Sequence, residues 1–328
     1  MIPLELIPPK SACHNVQKSS SIPAAQEFVI PSAKVQLLEW TFSGVNYILQ
    51  QVYNTEGSLV VFLTVQISDY TLIKVKCNRA ITVFQYTLKG NCFGYLKGHG
   101  CLHLFHDTYT LQYIPEGDHQ VLFAPGTYHY LYLDPGLAIV SLSPFDEGIK
   151  KVLLSLNDFQ EAGCLAERLP FDHKVTTLIS KLKNLTPDSV HSPFNIRALI
   201  NEFVLHYYEQ LHNKKSNPEG TKLIAELNAF IANNIEFPVP ELIARLKKQF
   251  FISGKLLRTH WKKTDFKNLR DSFNQLRMHF ALYLLVIEKL TISDVANRLN
   301  YADQYNFSKL FSRFYKVSPK MAKTLVKN

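Results

Sequence analysis

Long apolar runs are missing from this chain of 328 residues. No segment reaches the roughly 18 consecutive apolar residues that a membrane-spanning helix needs. The N-terminus lacks the basic segment and apolar core of a secretory signal. The five cysteines show no CxxC spacing and do not form the pattern of a disulfide framework. The sequence therefore predicts a cytoplasmic protein with reduced thiols and no membrane partner.

Acidic residues are scarce in the last third of the chain. Residues 220–328 contain 19 Lys and Arg against 8 Asp and Glu, whereas the preceding 219 residues contain 17 against 19. The net charge of +11 in the last third is typical of a module that binds phosphates.

The segment from Leu290 to Pro319 has the pattern of two short helices separated by a tight turn. The apolar residues of the first helix recur three or four apart, at Ile292, Val295, Ala296 and Leu299. Asp303 is placed to cap the second helix, whose predicted buried residues are Phe307, Leu310, Phe311 and Phe314. Its exposed face contains no carboxylate and suits a DNA major groove. We expect base reading by Gln304, Tyr305 and Lys309, and phosphate contacts or positioning by Ser308, Ser312 and Arg313.

A similar unit precedes it. Pro240 to Phe250 has a helical pattern, Phe251 and Ile252 would turn the chain, and Ser253 can cap a helix that runs to about Lys263. Base reading is expected of Lys255, Arg258 and Thr259, and phosphate contacts or positioning of Ser253, Lys262 and Lys263. A long helix over about 268–288 would separate the two units.

Residues 238–319 resemble the DNA-binding domain of the AraC/XylS family of bacterial transcription regulators. The family's second motif is matched by Ile292, Val295, Ala296, Tyr301, Asp303, Gln304, Phe307, Ser308, Lys309, Phe311, Arg313, Ser318 and Pro319. Arg277 and Ala281 match the R-x-x-x-A of the linking helix. Asn300, Lys316 and Lys247 depart from the family pattern, where Gly, Gly and Ala are common. The resemblance implies an all-α domain with two helix-turn-helix motifs, in which Arg277, Ala281, Ile292, Ala296, Asp303, Phe307, Phe311 and Pro319 serve the structure.

Residues 28–143 are rich in Val, Ile, Tyr, Phe and Thr, with turn residues between short runs. Eight runs predict strands, namely VQLLEWTF, NYILQQVY, LVVFLTVQI, YTLIKVKC, ITVFQYTLK, TYTLQYI, QVLFA and TYHYLYLD. So many closely spaced strands favour a sandwich or barrel. The segments GNCFGYLKG and FAPGTYHYLYL resemble the cupin-like jelly roll that binds an effector in many AraC-type regulators. The fold class expected is thus an α+β multidomain protein.

Helical periodicity follows the strands, in HKVTTLISKLKNL and NIRALINEFVLHYYEQLH. These helices can pack against the β domain or mediate dimerisation. We predict a flexible arm at residues 1–27, a cupin-like domain with C-terminal helices at 28–213, a linker at 214–222 and the DNA-binding domain at 223–328.

Several histidines and tyrosines of the β region are candidate ligand contacts. His99, Cys101, His103 and His106 lack the cupin order of H-x-H followed by Glu, so neither a metal nor another cofactor is expected. On a strand, Cys101 and His103 would share one face and His106 the other. One set of aromatic residues could either line a ligand pocket or fill an ordinary β core. The set comprises Trp40, Tyr86, Tyr95, Tyr113, Tyr128, Tyr130 and Tyr132.

Three functions are compatible with these patterns. An effector-responsive transcription regulator would bind promoter or operator DNA as a duplex, with a small-molecule effector, RNA polymerase and a second copy of the chain as further partners. A cupin-type enzyme with a helical appendage is disfavoured, since no acid and base pair or activated nucleophile is evident. A sequence-tolerant architectural DNA-binding protein needs only the charge. Base-reading residue types on both exposed helix faces favour the regulator, which is not an enzyme.

Overall fold

A computed structural model describes residues 4–7, 15–17, 35–41, 46–55, 58–184, 192–212, 226–227, 230–231, 233–254 and 269–326. Strands dominate its N-terminal part and helices its C-terminal part, as the sequence predicts. The predicted linker at 214–222 lies outside the described residues. So do Lys255, Arg258, Thr259, Lys262 and Lys263 of the first helix-turn-helix unit. No helix in the described part is long and apolar enough to cross a membrane.

The described strands form two antiparallel sheets, which we call the β domain. The strands are β1 (Leu4–Ile7), β2 (Asn15–Gln17), β3 (Val35–Thr41), β4 (Tyr47–Thr55), β5 (Ser58–Ile67), β6 (Thr71–Cys77), β7 (Ile81–Lys89), β8 (Cys92–Leu96), β9 (Gly100–Leu104), β10 (Thr108–Ile114), β11 (Gly117–Phe123), β12 (Gly126–Leu133), β13 (Cys164–Leu165) and β14 (Leu169–Pro170). The small sheet has the order β1-β6-β11-β8-β9. The large sheet has the order β13-β10-β7-β12-β5-β4-β3-β2, and β14 also pairs with β10. All eight predicted strands are present.

The described helices all begin after β12. They are α1 (Glu147–Asn157), α2 (His173–Lys183), α3 (Ser192–His212), α4 (Val239–Phe250), α5 (Leu269–Val286), α6 (Ile292–Arg298) and α7 (Gln304–Tyr315). Two 3₁₀ helices span Gly136–Phe145 and Pro319–Leu325.

The large sheet is covered on both faces, which explains the continuous burial of β7. Residues 81–87 are all buried. Val83 belongs to a core shared with the small sheet, while Phe84 packs with Tyr207 of α3 at a ring-centroid distance of 5.0 Å. A strand in such a position has no solvent face and therefore needs no alternation of polar residues.

The helical extension packs on the large sheet. The predicted stripes of α2 and α3 are buried in one core with sheet residues, including Leu178 and Phe203. Asp172 caps α2 by accepting from Val175 N at 2.9 Å, and it also contacts His206 and Gln210 of α3. Packing against the β domain, rather than dimerisation, therefore occupies this apolar stripe.

The predicted flexible arm is partly wrong, since β1 and β2 lie within residues 1–27. β1 pairs with β6 in an antiparallel register that places Leu6 opposite Val75. Leu4 and Leu6 are buried, whereas Glu5 and Ile7 are exposed. Burial thus alternates as in a strand, but Ile7 is apolar and prolines flank the segment, so the residue types alone do not show the alternation.

The small sheet also contacts the C-terminal helices. Phe93 of β8 lies 5.0 Å from Phe280 of α5 between ring centroids, and the hydroxyl of Tyr70 lies 3.1 Å from His279 Nε2. Phe93 and Phe105 are buried in the same core as the helix-turn-helix residues. The helix that separates the two predicted reading units is therefore docked on the β domain.

Candidate nucleic-acid interface

The second helix-turn-helix unit forms where the sequence predicts it. Thr291 caps α6, since its hydroxyl accepts from Asp294 N at 3.1 Å and donates to Asp294 Oδ2 at 2.6 Å. Val295, Ala296 and Leu299 are buried. Thr291 was not among the predicted helix caps, although a Thr followed three residues later by an acid is a known signal of a helix start.

The turn between α6 and α7 depends on a left-handed residue. Asn300 has φ of 54°, and Tyr301 N donates to Ala296 O at 2.9 Å. Asn adopts this conformation more readily than most residues. The departure from glycine at this position is therefore compatible with the turn.

Asp303 begins α7 as predicted. Its Oδ1 accepts from Asn306 N at 2.7 Å, and its Oδ2 accepts from the Asn306 side chain at 2.9 Å. The amide of Asn306 is thus engaged in the cap. At the other end, Lys316 closes the helix with φ of 62° and donates its N–H to Ser312 O at 2.9 Å.

One predicted core residue of α7 is wrong. Phe314 is 39% exposed, while Tyr315 is 9% exposed. Phe307, Phe311 and Tyr315 are spaced four apart and form the buried row. Tyr315 therefore takes the inward position that the sequence analysis gave to Phe314, whose ring instead packs across His279.

The outer face of α7 presents the predicted contact residues to solvent. Gln304, Lys309 and Arg313 are exposed, Tyr305 is 71% exposed, and Ser308 and Ser312 are half-buried. At 100° per residue, Tyr305, Lys309 and Ser312 form one stripe, with Gln304 and Ser308 on one side of it and Arg313 on the other. Lys309 and Arg313 form no ion pair with any described carboxylate. This face can therefore offer its charges to an external anion.

The first unit is described only up to its turn. Pro240 stands in the first turn of α4, and Leu242 and Leu246 are buried. Phe251 ends the helix in the left-handed region with φ of 51°. Ser253 follows as an exposed residue. The turn lies where the sequence predicts it, and the other predicted contact residues of this unit fall outside the described residues.

Arg277 of α5 connects the two units. Its side chain is 3% exposed and donates to Phe237 O, just before α4, and to Leu299 O, at the end of α6. Its guanidinium also lies 5.2 Å from the centre of the Tyr301 ring. Burial lowers the pKa of Arg277, with Tyr301 acting in the opposite direction. One buried cation thus fixes the start of one unit relative to the turn of the other.

A second connection was missed from the sequence. Arg298 of α6 contacts Glu236 at 2.9 Å and Glu288 at 2.7 Å, and the Asn300 side chain donates to Glu236 O at 3.1 Å. These residues are far apart in sequence, so no local pattern announces the contact. They hold the end of α6 and the turn that follows it against the segment that precedes α4.

The remaining structural residues of the motif are placed as expected, with one exception. Ala281, Phe307, Phe311 and Pro319 are buried, and Ile292 packs against the same core. Ser318 precedes the last 3₁₀ helix but makes no side-chain cap bond. Its carbonyl accepts from Met321 N at 2.9 Å instead, so Pro319 carries more of the structural role than Ser318.

The histidine cluster of the β domain is dispersed. His103 packs against Phe93 with ring centroids 5.4 Å apart. His106 lies after β9, not on a strand, and its Nε2 is 3.1 Å from Asp107 Oδ2. Cys101 is half-buried, and burial raises the pKa of its thiol. Within the described part of the chain, no three His, Cys, Asp or Glu residues converge as metal ligands would.

The interior of the β sandwich is filled by side chains. The cavity between the sheets measures about 40 Å³ and is lined by Leu63, Phe123, Tyr130 and Tyr132 among others. Trp40, Tyr86, Tyr113 and Tyr128 are buried in the cores. The buried aromatic residues therefore behave as core residues, and the cavity that the described residues line between the sheets is too small for a drug-sized ligand.

Comparison with known proteins gives one curated relative that is named as a regulatory protein. The Msm operon regulatory protein of Streptococcus mutans is 24% identical to this chain over 133 residues, which is 40% of this chain. The match spans 45% of the length of that relative. No protein-family model matches the chain. The relative agrees with the resemblance to AraC/XylS regulators that the motifs indicate.

Several solved structures are also similar, at low TM-scores. The C-terminal domain of the response regulator YesN from Fusobacterium nucleatum is 25% identical, with 28% of this chain and 93% of that chain covered and a TM-score of 0.25. Fatty acid-bound ToxT from Vibrio cholerae is 12% identical, with 83% and 97% covered and a TM-score of 0.31. The AraC-like activator CuxR is 9% identical, with 77% and 86% covered and a TM-score of 0.30. Scores this low do not establish a shared overall arrangement.

Proposed function

We propose that the chain is a sequence-specific transcription regulator that binds duplex DNA through α7 and the corresponding helix of the first unit. The observation that carries this proposal is the outer face of α7. Helix α7 is capped by Asp303 and held in place by its buried aromatic row. Its outer face contains no carboxylate and presents Gln304, Tyr305, Lys309 and Arg313. A rigid helix with such a face fits a major groove.

The two sides of this face suit different parts of DNA. Gln304 and Lys309 lie in the first two turns, where recognition helices usually reach base edges, and they can bond adenine and guanine, respectively. Arg313 lies one turn beyond Lys309, about 6 Å farther along the helix axis. We assign Arg313, with Ser308 and Ser312, to phosphate contacts and positioning.

The domain division belongs to the proposal. Residues 223–328 would form the DNA-binding domain, residues 28–213 the regulatory domain, and residues 214–222 the linker. Docking of α5 on the small sheet, through Phe93 and Phe280, gives a physical route between the domains. An effector that changes this contact would change how the two reading units are presented to DNA.

A homodimer is a further part of the proposal. The inner stripe of α3 is buried, but Phe194 and Leu205 remain 74% and 50% exposed on the same helix. An exposed apolar pair of this kind can serve a second copy of the chain. Sedimentation of the full chain should show a dimer that the Leu205→Glu variant fails to form. An unchanged oligomeric state in this variant would contradict the proposed contact. Contact with RNA polymerase stays a prediction.

A competition experiment distinguishes a regulator from an architectural protein. The full chain is bound to labelled DNA from the region upstream of its own gene, and unlabelled random DNA competes at physiological salt. A regulator should stay bound to the labelled DNA in the presence of a large excess of random DNA, because specific binding is commonly at least 10³-fold tighter than non-specific binding. Equal competition by both DNAs would support the architectural alternative.

A further inference from the structure

A cleft of about 540 Å³ separates the edge of the β domain from the segment that precedes α4. His99 and His103 lie on or beside β9 at one wall, and Asn233 and Glu236 form the other. Arg168 lies between the walls. This volume falls within the range of known small-molecule sites. The cavity of about 40 Å³ between the sheets is far smaller.

Arg168 connects the two walls. Its Nη2 donates to His103 O at 2.8 Å, and its Nη1 donates to Asn233 Oδ1 at 3.1 Å. Both acceptors are neutral, and no described carboxylate forms an ion pair with this guanidinium. Burial lowers the pKa of Arg168 to about 10. Arg168 is half-buried, so part of its hydration is lost without a counter-charge, and a bound anion would offset that loss.

Positive groups lie close to the cleft. Burial lowers the pKa of His99, and the positive charges of Lys151 and Arg168 lower it further. Two carboxylates also line the cleft. Glu236 pairs with Arg298 at 2.9 Å, a guanidinium that Glu288 shares at 2.7 Å, and Glu167 is exposed to solvent. Among the described residues, neither carboxylate forms an ion pair with Arg168.

We propose that this cleft binds a small molecule with a carboxylate or phosphate group, and that Arg168 contacts that group directly. The inference rests on the proposed function for its regulatory meaning. A ligand held here would contact both the β domain and the segment next to the first reading unit. If the ligand binds more tightly when the β domain and this segment are docked than when they are separated, its binding favours the docked state. The size of the effect equals the difference between the two binding free energies.

The binding test uses the full chain with three probes. Inorganic phosphate represents phosphate groups, citrate represents carboxylates, and glucose is the neutral control, all at an ionic strength matched with sodium chloride. Calorimetric titration and thermal unfolding should reveal saturable binding of phosphate or citrate but not of glucose, with Tm rising as the site fills. The charged probe that binds identifies the chemical class.

Variants assign the binding to the cleft. Arg168→Gln should weaken the Kd of the bound anion at least tenfold, and Arg168→Lys, which keeps the charge, should weaken it less. Lys150→Gln is the matched control, because Lys150 is an exposed cation on neighbouring α1 that pairs with Glu147. It should leave the Kd within twofold. Arg313→Ala should do the same, since it lies on the DNA-binding face.

Three results would overturn the inference: no saturable binding of either anion, an unchanged Kd in Arg168→Gln and Arg168→Lys, or loss of binding in Arg313→Ala. The same preparations are tested for DNA binding in the competition assay. Sequence-specific DNA binding without anion binding would remove this inference alone. Absence of preferential DNA binding would remove the proposed function, whatever the anion does.

Discussion

Replacement of Arg277 should separate structural support from DNA contact. Arg277→Ala removes a buried cation together with its two hydrogen bonds, and it leaves Phe237 O and Leu299 O without that donor. Charge-assisted bonds of this kind are worth about 1.5–3 kcal/mol each. The contact with Tyr301 adds about 1 kcal/mol. Because such terms overlap, we expect the free energy of unfolding to fall by roughly 3–5 kcal/mol.

The assay is urea unfolding followed by circular dichroism, with hydrogen exchange used to assign the loss to α5, α6 and α7. Arg313→Ala is the control, since it removes an exposed guanidinium and should change stability by less than about 0.5 kcal/mol while weakening DNA binding. If Arg277→Ala fails to fold, Arg277→Lys keeps one donor group and should show a smaller loss. A loss below about 1 kcal/mol for Arg277→Ala, with unchanged exchange in α6, would refute the linking role of Arg277.

Three further predictions concern stability. Asp303→Ala should cost about 1 kcal/mol in urea unfolding, because α7 loses its cap, and Asp303→Asn should restore most of it; equal losses would contradict the capping role. Asp172→Ala should cost about 2–4 kcal/mol, since it removes the cap of α2 and the contacts to His206 and Gln210, and a loss no larger than that of Asp303→Ala would oppose this. Burial lowers the pKa of His279 to about 4 from an ordinary 6.5, so the stability it contributes is present above pH 6.5 and is lost as pH falls towards 4. His279→Gln should flatten the pH dependence of Tm in that window, and an unchanged slope would contradict the assignment.

The sequence predicted elements best where the residue pattern repeats. All eight strands predicted from β-branched and aromatic runs are present, and the turn of the second unit lies at Asn300 as expected. β8 and β9 were missed because Gly94, Gly98 and Gly100 interrupt their short apolar runs. Gly98 adopts φ of 74°, and a Cβ there would come within 2.4 Å of Ala162. That glycine is therefore required by a contact distant in sequence.

Contacts between distant segments account for the other differences. Phe314 and Tyr315 are neighbours of similar size, and only their contacts distinguish them. Tyr315 packs against Tyr70 in the interior, whereas Phe314 packs on His279 of α5. The pairing of Arg298 with Glu236 likewise requires the fold to bring α6 next to α4. Arg168 carried no sequence signal, since its two hydrogen-bond acceptors lie 65 residues away on either side.

The most direct test of the proposed function is a base-by-base titration of α7 variants. A preferred site is first selected from random DNA, and wild type, Lys309→Ala and Arg313→Ala are titrated against it and its single-base variants at two salt concentrations. Loss of Lys309 should cost about 1–3 kcal/mol and relax the preference at one position. Loss of Arg313 should weaken all sequences alike and reduce the salt slope by about one. Equal weakening of every sequence by Lys309→Ala, with a changed base preference in Arg313→Ala, would contradict the proposed orientation of α7 on DNA.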